Sequence, residues 1–269
     1  MATVREALTA SADALKAVGV EAPRLDAEVL LAEANGWDRA QLLANPAADV
    51  PPLAARRFGE MVRRRLRREP VAYILGRKGF RRIELAVDSR VLIPRPETEM
   101  LVDLVLELRP RTVLDVGTGS GAVALAIADE LPGCKVTATD TSEAALEVAA
   151  ANAEQLGLGE RVRFRKDSIP AGEEFELIVA NLPYVAFDAW RSLQPEVTAW
   201  EPREALLAGH DGLSEIRRLA PQVARGTLAF EVGEGQAGEV AELLRKEGFR
   251  GVQFRRDLAG IDRIVWGSR

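Results

Sequence analysis

The stretch that most constrains the fold is Val113-Leu114-Asp115-Val116-Gly117-Thr118-Gly119-Ser120-Gly121, a short apolar run punctuated by glycines and followed by an alanine-rich apolar segment. It reads as a buried strand feeding a helix through a tight turn. Glycines at such a junction let the chain turn sharply and let a ligand approach the backbone, with the first amides of the helix pointing at it. Strand and helix patterns then alternate. Strands are expected over 112–116, 135–139, 162–166, 177–180 and 227–232, with helices over 120–131, 142–156, 212–224 and 237–247. This alternation predicts an α/β fold with a mostly parallel, Rossmann-like sheet and helices on both faces. The last two strands, 251–256 and 263–266, are separated only by a turn at 257–260. They must pair antiparallel, because a parallel return needs a crossover of about a dozen residues.

The first 75 residues have a different period. Val4, Leu8, Leu15 and Val18 fall at helical spacing and predict one apolar face ending near Gly19. A second helix is expected over 24–34, with Leu25, Val29, Leu30 and Ala32, stopping before Gly36. Asp38 followed by Gln41 has the spacing of a reciprocal N-terminal cap. Pro51-Pro52 opens an arginine-rich helix that ends before Pro70. Short amphipathic helices of this kind need one another and predict a small bundle. From Tyr73 to Ile93 the pattern becomes strand-like, with turn material at Asp88-Ser89-Arg90, which predicts a β-hairpin. A proline-stiffened loop at 94–99 leads into a helix over 100–108. The expected organisation is a helical domain at 1–75, a hairpin linker at 76–95 and an α/β domain at 96–269.

Composition narrows the chemistry. One cysteine in 269 residues leaves no disulfide framework or cysteine-rich metal site to build, and one histidine leaves little material for His-based metal binding or a Ser-His-Asp triad. No metal is expected, and His210, in a loop, reads as a surface residue. No apolar run approaches the roughly 20 residues that span a bilayer, and the N-terminus has no secretion signal. The chain is expected to be cytoplasmic and monomeric, without membrane contact. Its net charge of −5 does not suit a general nucleic-acid binder. The arginines between Arg56 and Arg68 form a local basic run that suits either an acidic partner or a solvated helix face.

The glycine loop alone is ambiguous. Gly117-x-Gly119-x-x-Ala122 also satisfies a loose dinucleotide fingerprint, and either reading expects the acid at the end of the next strand, Asp140, to grip ribose hydroxyls. Asp115, two residues before the first glycine, and Asp167-Ser168, after the third strand, suit S-adenosyl-L-methionine: an acid for the methionine ammonium and polar groups for the adenine edge. The deciding stretch is Asn181-Leu182-Pro183-Tyr184, at the end of the fourth strand. In a parallel sheet that position faces the ligand crevice. The Asn181 oxygen and the Leu182 carbonyl can accept both hydrogens of an –NH₂ group, Pro183 stiffens the turn, and Tyr184 can stack on a planar amide or base. This predicts methylation of an amide or exocyclic amine.

Several segments together resemble the peptide chain release factor N5-glutamine methyltransferases (PrmC/HemK). They are Leu92-Ile-Pro-Arg-Pro-Glu-Thr-Glu99, the glycine loop, Asn181-Leu182-Pro183-Tyr184, and the stretches 26–32, 69–76, 201–213, 230–236 and 257–267. The resemblance implies a class I S-adenosyl-L-methionine-dependent methyltransferase acting on the glutamine of the Gly-Gly-Gln motif of class I peptide chain release factors, with no nucleic acid required. Its implied cofactor-binding residues are Asp115, Gly117, Thr118, Gly119, Ser120, Gly121, Asp140, Asp167, Ser168 and Asn181. The glutamine would be bound by Asn181 to Tyr184, with Glu97 and Thr98 closing the site; the helical domain would dock the release factor. The family's usual Asn-Pro-Pro-Tyr is Asn-Leu-Pro-Tyr here, as in ribosomal-RNA adenine methyltransferases, so N6-adenine methylation is a competing reading. A ribosomal-protein glutamine methyltransferase is another, and a cofactor-binding regulatory protein without turnover a third.

Overall fold

In the computed structural model, which describes residues 2–169 and 173–269, five helices come first: α1 Val4–Ala17, α2 Pro23–Asn35, α3 Arg39–Ala44, α4 Pro52–Leu66 and α5 Val71–Leu75. A hairpin of β1 Arg77–Phe80 and β2 Ile83–Ala86 follows, then α6 Glu99–Leu108, β3 Thr112–Val116, α7 Ala122–Glu130, β4 Lys135–Asp140, α8 Glu143–Gln155, β5 Val162–Lys166 and β6 Leu177–Ala180. The chain ends with α9 Pro195–Trp200, α10 Ser214–Leu219, β7 Thr227–Glu231, α11 Ala237–Lys246, β8 Arg250–Arg256 and β9 Asp262–Ser268. These elements form two compact units, one of residues up to Gly76 with Gln194–Trp200, the other of Arg77–Leu193 with Glu201–Arg269. Among the described residues no helix is long and apolar enough to cross a membrane.

The helical unit is started and stopped by its caps. Thr3 with Glu6, and Asp38 with Gln41, each form the reciprocal box in which both side chains satisfy free backbone N–H groups. Pro23 and Pro52 open α2 and α4, where a missing N–H costs nothing, and Gly36 closes α2 at φ +67°. Leu8, Leu15, Leu30, Leu31, Leu42 and Phe58 make the core. Two residues expected on the inner face are not there: Val18 caps α1 and is 40% exposed, and Leu25, in the first turn of α2, is 44% exposed.

The arginine run splits by helical phase. Arg56, Arg57, Arg63 and Arg67 are exposed. Arg64 instead binds Glu69, and Arg65, itself buried, binds Asp26 and Glu196. Arg68 also binds Glu196. A solvated face therefore describes four of the seven arginines in the run.

In the second unit the sheet order is β5-β4-β3-β6-β7-β9-β8. β5, β4, β3, β6 and β7 run parallel, and β9 is antiparallel to both β7 and β8, as the short last connection requires. The strands adjacent to β3 are β4 on one side and β6 on the other, so the order reverses there and opens a crevice at the carboxyl ends. β6, Leu-Ile-Val-Ala, is buried at every position, as expected of a parallel strand covered on both faces.

The hairpin lies where sequence patterning placed one, but its turn does not. The chain reverses at Arg81-Arg82, between Phe80 and Ile83. Arg81 adopts φ +51°, an uncommon conformation for a side chain of its size. Its guanidinium binds Glu130 and Asp103, and its backbone N–H donates to Glu99 at 3.0 Å, so tertiary contacts choose the turn. Asp88-Ser89-Arg90 does form a turn, closed by the Val91 N–H on the Asp88 carbonyl at 3.1 Å, but residues 91–93 just after it form no strand. Residues 71–75, read in part as strand, form helix α5.

Candidate active site

The carboxyl ends of β3, β4 and β6 lie side by side, with Val116 opposite both Thr139 and Ala180. The residues just beyond, Gly117, Asp140 and Asn181, therefore converge. They line one cavity of about 400 Å³ together with Gly119, Leu182 and Pro183, a volume suited to a small organic ligand. Gly117 has φ +76°, and a Cβ there would meet the Leu182 side chain at 3.4 Å and the Asn181 carbonyl at 3.6 Å. Gly121, at φ +85°, has no room for a side chain, since a Cβ would lie 2.8 Å from Leu125. The loop is held by the Gly117 and Thr118 N–H groups on the Thr139 carbonyl at 2.8 and 2.9 Å.

The Asp140 carboxylate accepts the Gly119 N–H on one oxygen and the Ser142 N–H on the other, both at 2.9 Å. Each oxygen keeps a further lone pair for a ligand. Asp167 and Ser168 line the same cavity; Thr139 Oγ1 donates to the Ser168 carbonyl at 2.8 Å, which ties their turn to β4.

The other acid of the glycine loop is placed differently. Asp115 is 2% exposed and does not line the cavity. Its Oδ2 accepts the Thr118 hydroxyl at 2.6 Å and the Ala124 N–H at 3.2 Å, and burial pushes its pKa up to about 7. Thr118 and Ser120 are buried as well. These three hold the loop from behind rather than face the cavity.

The Asn181 Nδ2–H donates to Thr98 Oγ1 at 3.0 Å. Thr98 is buried, and neither it nor Glu97 lines the cavity. Tyr184 is gripped through its backbone: Gln236 Nε2 donates to its carbonyl at 2.9 Å, while a Cβ on Gly212 would sit 2.2 Å from the same oxygen. Burial and the negative charge of Glu231 push its phenol up to about 12. His210 is exposed, its ring edge-on to Phe187 at 5.7 Å.

Arg90, Leu92, Glu204, Glu215 and Arg218 also line the cavity, and none was anticipated as a site residue. Leu92 and Glu204 lie within motifs singled out above. Arg218, paired to Glu215 at 2.6 Å, looks like any surface arginine in the sequence.

Residues 6–76 match a family described as "PrmC N-terminal domain", and residues 113–200 one described as "Methyltransferase domain". The release factor glutamine methyltransferase of Moorella thermoacetica is 43% identical over 99% of this chain and 99% of its own. That of Coxiella burnetii is 40% identical over 100% of both, and that of Caulobacter vibrioides 39% over 99% of this chain and 96% of its own. The chain belongs to the release factor glutamine methyltransferase family. Membership in a methyltransferase family removes the dinucleotide reading of the glycine loop. Solved structures extend the fold: the hMettl16 catalytic domain in complex with a 3'UTR hairpin matches with TM-score 0.57 and 18% identity, covering 68% of this chain and 75% of that one. A methyltransferase from Pyrococcus furiosus matches with TM-score 0.50 and 18% identity over 68% and 87%. The fold is that of class I S-adenosylmethionine-dependent methyltransferases.

Proposed function

We propose that this chain transfers a methyl group from S-adenosyl-L-methionine to the side-chain amide nitrogen of the glutamine in the Gly-Gly-Gln motif of class I peptide chain release factors. The observation that carries this reading is that Asn181, Leu182 and Pro183 line the same cavity as Gly117, Gly119 and Asp140: an acceptor for an –NH₂ group and a cradle for a nucleoside ligand share one space. The similarity to family members along nearly the whole chain supports the substrate. The RNA-bound hMettl16 shares the fold at 18% identity and lends no weight to an RNA substrate.

The residues fit the cofactor. Asp140 would accept the ribose hydroxyls, Gly117 and Gly119 would let the methionine end approach the backbone, and Asp167 with Ser168 would meet the adenine. Bound there, the cofactor supplies an electrophilic methyl carbon on a sulfonium. The chain's part is to bring an amide nitrogen, a poor nucleophile, into line with that carbon. Asn181 Oδ1 and the Leu182 carbonyl would accept its two hydrogens, turn its lone pair toward the methyl and disfavour delocalisation into the carbonyl. Tyr184 would stack on the amide plane. Alignment of this kind can supply roughly 7–11 kcal/mol of the barrier. The surplus proton leaves the methylated nitrogen for solvent.

Incubation with methyl-labelled cofactor and either a release factor or ribosomal RNA tests the reading. Label should enter the release factor and vanish when the motif glutamine is changed to alanine. Label on RNA, or on neither, would overturn it. Asn181→Ala should lower turnover about a hundredfold or more, the scale of a lost transition-state hydrogen bond, while cofactor affinity measured by calorimetry falls far less.

A further inference from the structure

Glu231 ends β7 one residue beyond the pairing of Ala180 with Phe230, beside Asn181, and is 2% exposed. Its Oε2 is buried with no hydrogen-bond partner among the described residues. The Thr98 hydroxyl is the side-chain group beside the carboxylate that opposes the rise of its pKa, and the Thr98 oxygen accepts the Asn181 Nδ2–H at 3.0 Å. Three separate segments thus bring an acid, a hydroxyl and an amide into one line, with hydroxyl and amide bonded and the acid beside them.

The polarity of that line follows from the inventory of donors. An ionised carboxylate only accepts, so the Thr98 proton points to Glu231. The Thr98 oxygen then has only lone pairs left for Asn181, and takes the amide's nitrogen end. The oxygen end is left for the cavity that Asn181 lines. A carboxamide is nearly symmetric in shape, and turned over it would oppose N–H donors to the hydrogens of an incoming –NH₂ group. Something must choose between the two orientations.

We propose that Glu231 is a positioning residue: acting through the Thr98 hydroxyl, it fixes which end of the Asn181 carboxamide faces the reacting nitrogen, without touching substrate or cofactor. This rests on the function proposed above, in which Asn181 Oδ1 accepts an N–H of the glutamine amide. A protonated Glu231 can donate to Thr98, whose hydroxyl is then released to donate to Asn181, reversing the line. The charged and titratable groups around Glu231 are Glu97 and Arg95 from the loop before α6, Arg263 from β9 and Tyr184 from the segment after β6. Burial pushes the acid up to about 7, with Glu97 adding to the rise and Thr98, Arg263 and Arg95 opposing it. The reversal therefore falls in the range where turnover is measured.

The test compares wild type, Thr98→Val, Thr98→Ser and Glu231→Gln at saturating release factor and cofactor between about pH 6 and pH 8. Wild-type kcat should rise with pH toward a plateau, changing about tenfold per unit well below the Glu231 titration. Thr98→Val, which keeps shape and loses the hydroxyl, should lower the plateau kcat about tenfold, the scale of one hydrogen bond to a charged group, and flatten the rise. Calorimetric Kd for the cofactor should stay within about twofold in the same variant, since only orientation is lost. Thr98→Ser should restore both rate and slope, and Glu231→Gln should remove the slope. If Thr98→Val keeps the wild-type kcat and pH profile, or loses cofactor affinity in step with rate, the positioning role is wrong. Asn181→Ala, run alongside, separates the two ideas. If it abolishes turnover while Thr98→Val does not, the positioning role alone fails. If it is as active as wild type, or wild type labels no release factor, the functional reading fails and takes the inference with it.

Discussion

Glu196, in the helical unit, and Glu231, in the sheet unit, are both buried acids, 9% and 2% exposed, and their surroundings drive ionisation in opposite directions. Burial pushes Glu196 up, but hydrogen bonds from Arg68 and Arg65 more than offset it and hold the group below the usual carboxylate range. Those bonds run from Arg65 at 2.6 Å and from Arg68 at 2.5 and 2.8 Å. Glu231 has one hydroxyl beside it, an unpartnered oxygen and a pKa pushed up to about 7. Partners, not depth, set the charge of a buried acid. A saturated one is a fixed strut; an unsaturated one keeps the freedom to change its proton.

The strut is the larger lever. Arg65→Met keeps the apolar stem and leaves Asp26 without its guanidinium and Glu196 with only Arg68. Denaturation at pH 7 should show a loss of about 3–5 kcal/mol, the usual scale for breaking a buried pair from one side. A loss below 1 kcal/mol would mean that Arg68 alone satisfies Glu196, and the contrast with Glu231 would shrink to a difference of one arginine.

The pH dependences should have opposite signs. Glu196 has a lowered folded pKa, so its contribution is present above the ordinary carboxylate value of 4.5 and is lost as pH falls through the folded value. Glu231 has a raised one, so the folded state is favoured below 4.5 and loses ground as pH rises to about 7. Glu231→Gln should therefore stabilise the protein above pH 7, by up to about 3 kcal/mol, and change little at pH 4. A stabilisation that persists unchanged at pH 4 would assign the effect to packing instead of charge. The same variant is expected to lose the slope of its pH–rate profile, so greater stability would accompany looser control of Asn181.

How much of this was legible from sequence depends on how local each decision is. The strands from Thr112 to Glu231 read correctly because period, glycines and short connections are written within a few residues of each other. The glycine loop, Asp140 and Asn181 were legible for the same reason: each sits just past a recognisable strand, and the sheet order brings those ends together. The hairpin turn was misplaced because Asp88-Ser89-Arg90 has better turn chemistry than Arg81-Arg82. The real turn is paid for by Glu130 and Asp103, from helices 22 to 49 residues away. Asp115, two residues before the first glycine, has the place of an acid for the methionine ammonium, but its carboxylate bonds Thr118 and Ala124 behind the loop. Thr98 was expected to close the site, and it is instead buried against Asn181. No local pattern encodes the line from Glu231 to Thr98 to Asn181, since its members come from three segments that meet only in the folded sheet.

The arginine helix offers the smallest and most controlled comparison. Arg56 and Arg65 lie on the same helix, α4, nine residues apart in sequence, and each faces an acid. Arg56 reaches Glu60 at 3.5 Å with both side chains more than half exposed, whereas Arg65 reaches Asp26 at 2.7 Å with its own side chain 7% exposed. Water solvates the first pair almost as well apart as together, and holding two long side chains in one geometry costs rotamer freedom. Arg56→Ala should therefore change stability by about 0.3 kcal/mol or less, alanine's better helix propensity offsetting part of the lost pair. Raising salt from 0.05 to 0.5 M, roughly a threefold shorter screening length, should erase that difference and leave the Arg65→Met loss nearly intact. If both losses fell together with salt, the buried strut would be as solvated as the surface pair, and the contrast drawn between Glu196 and Glu231 would have no dielectric basis.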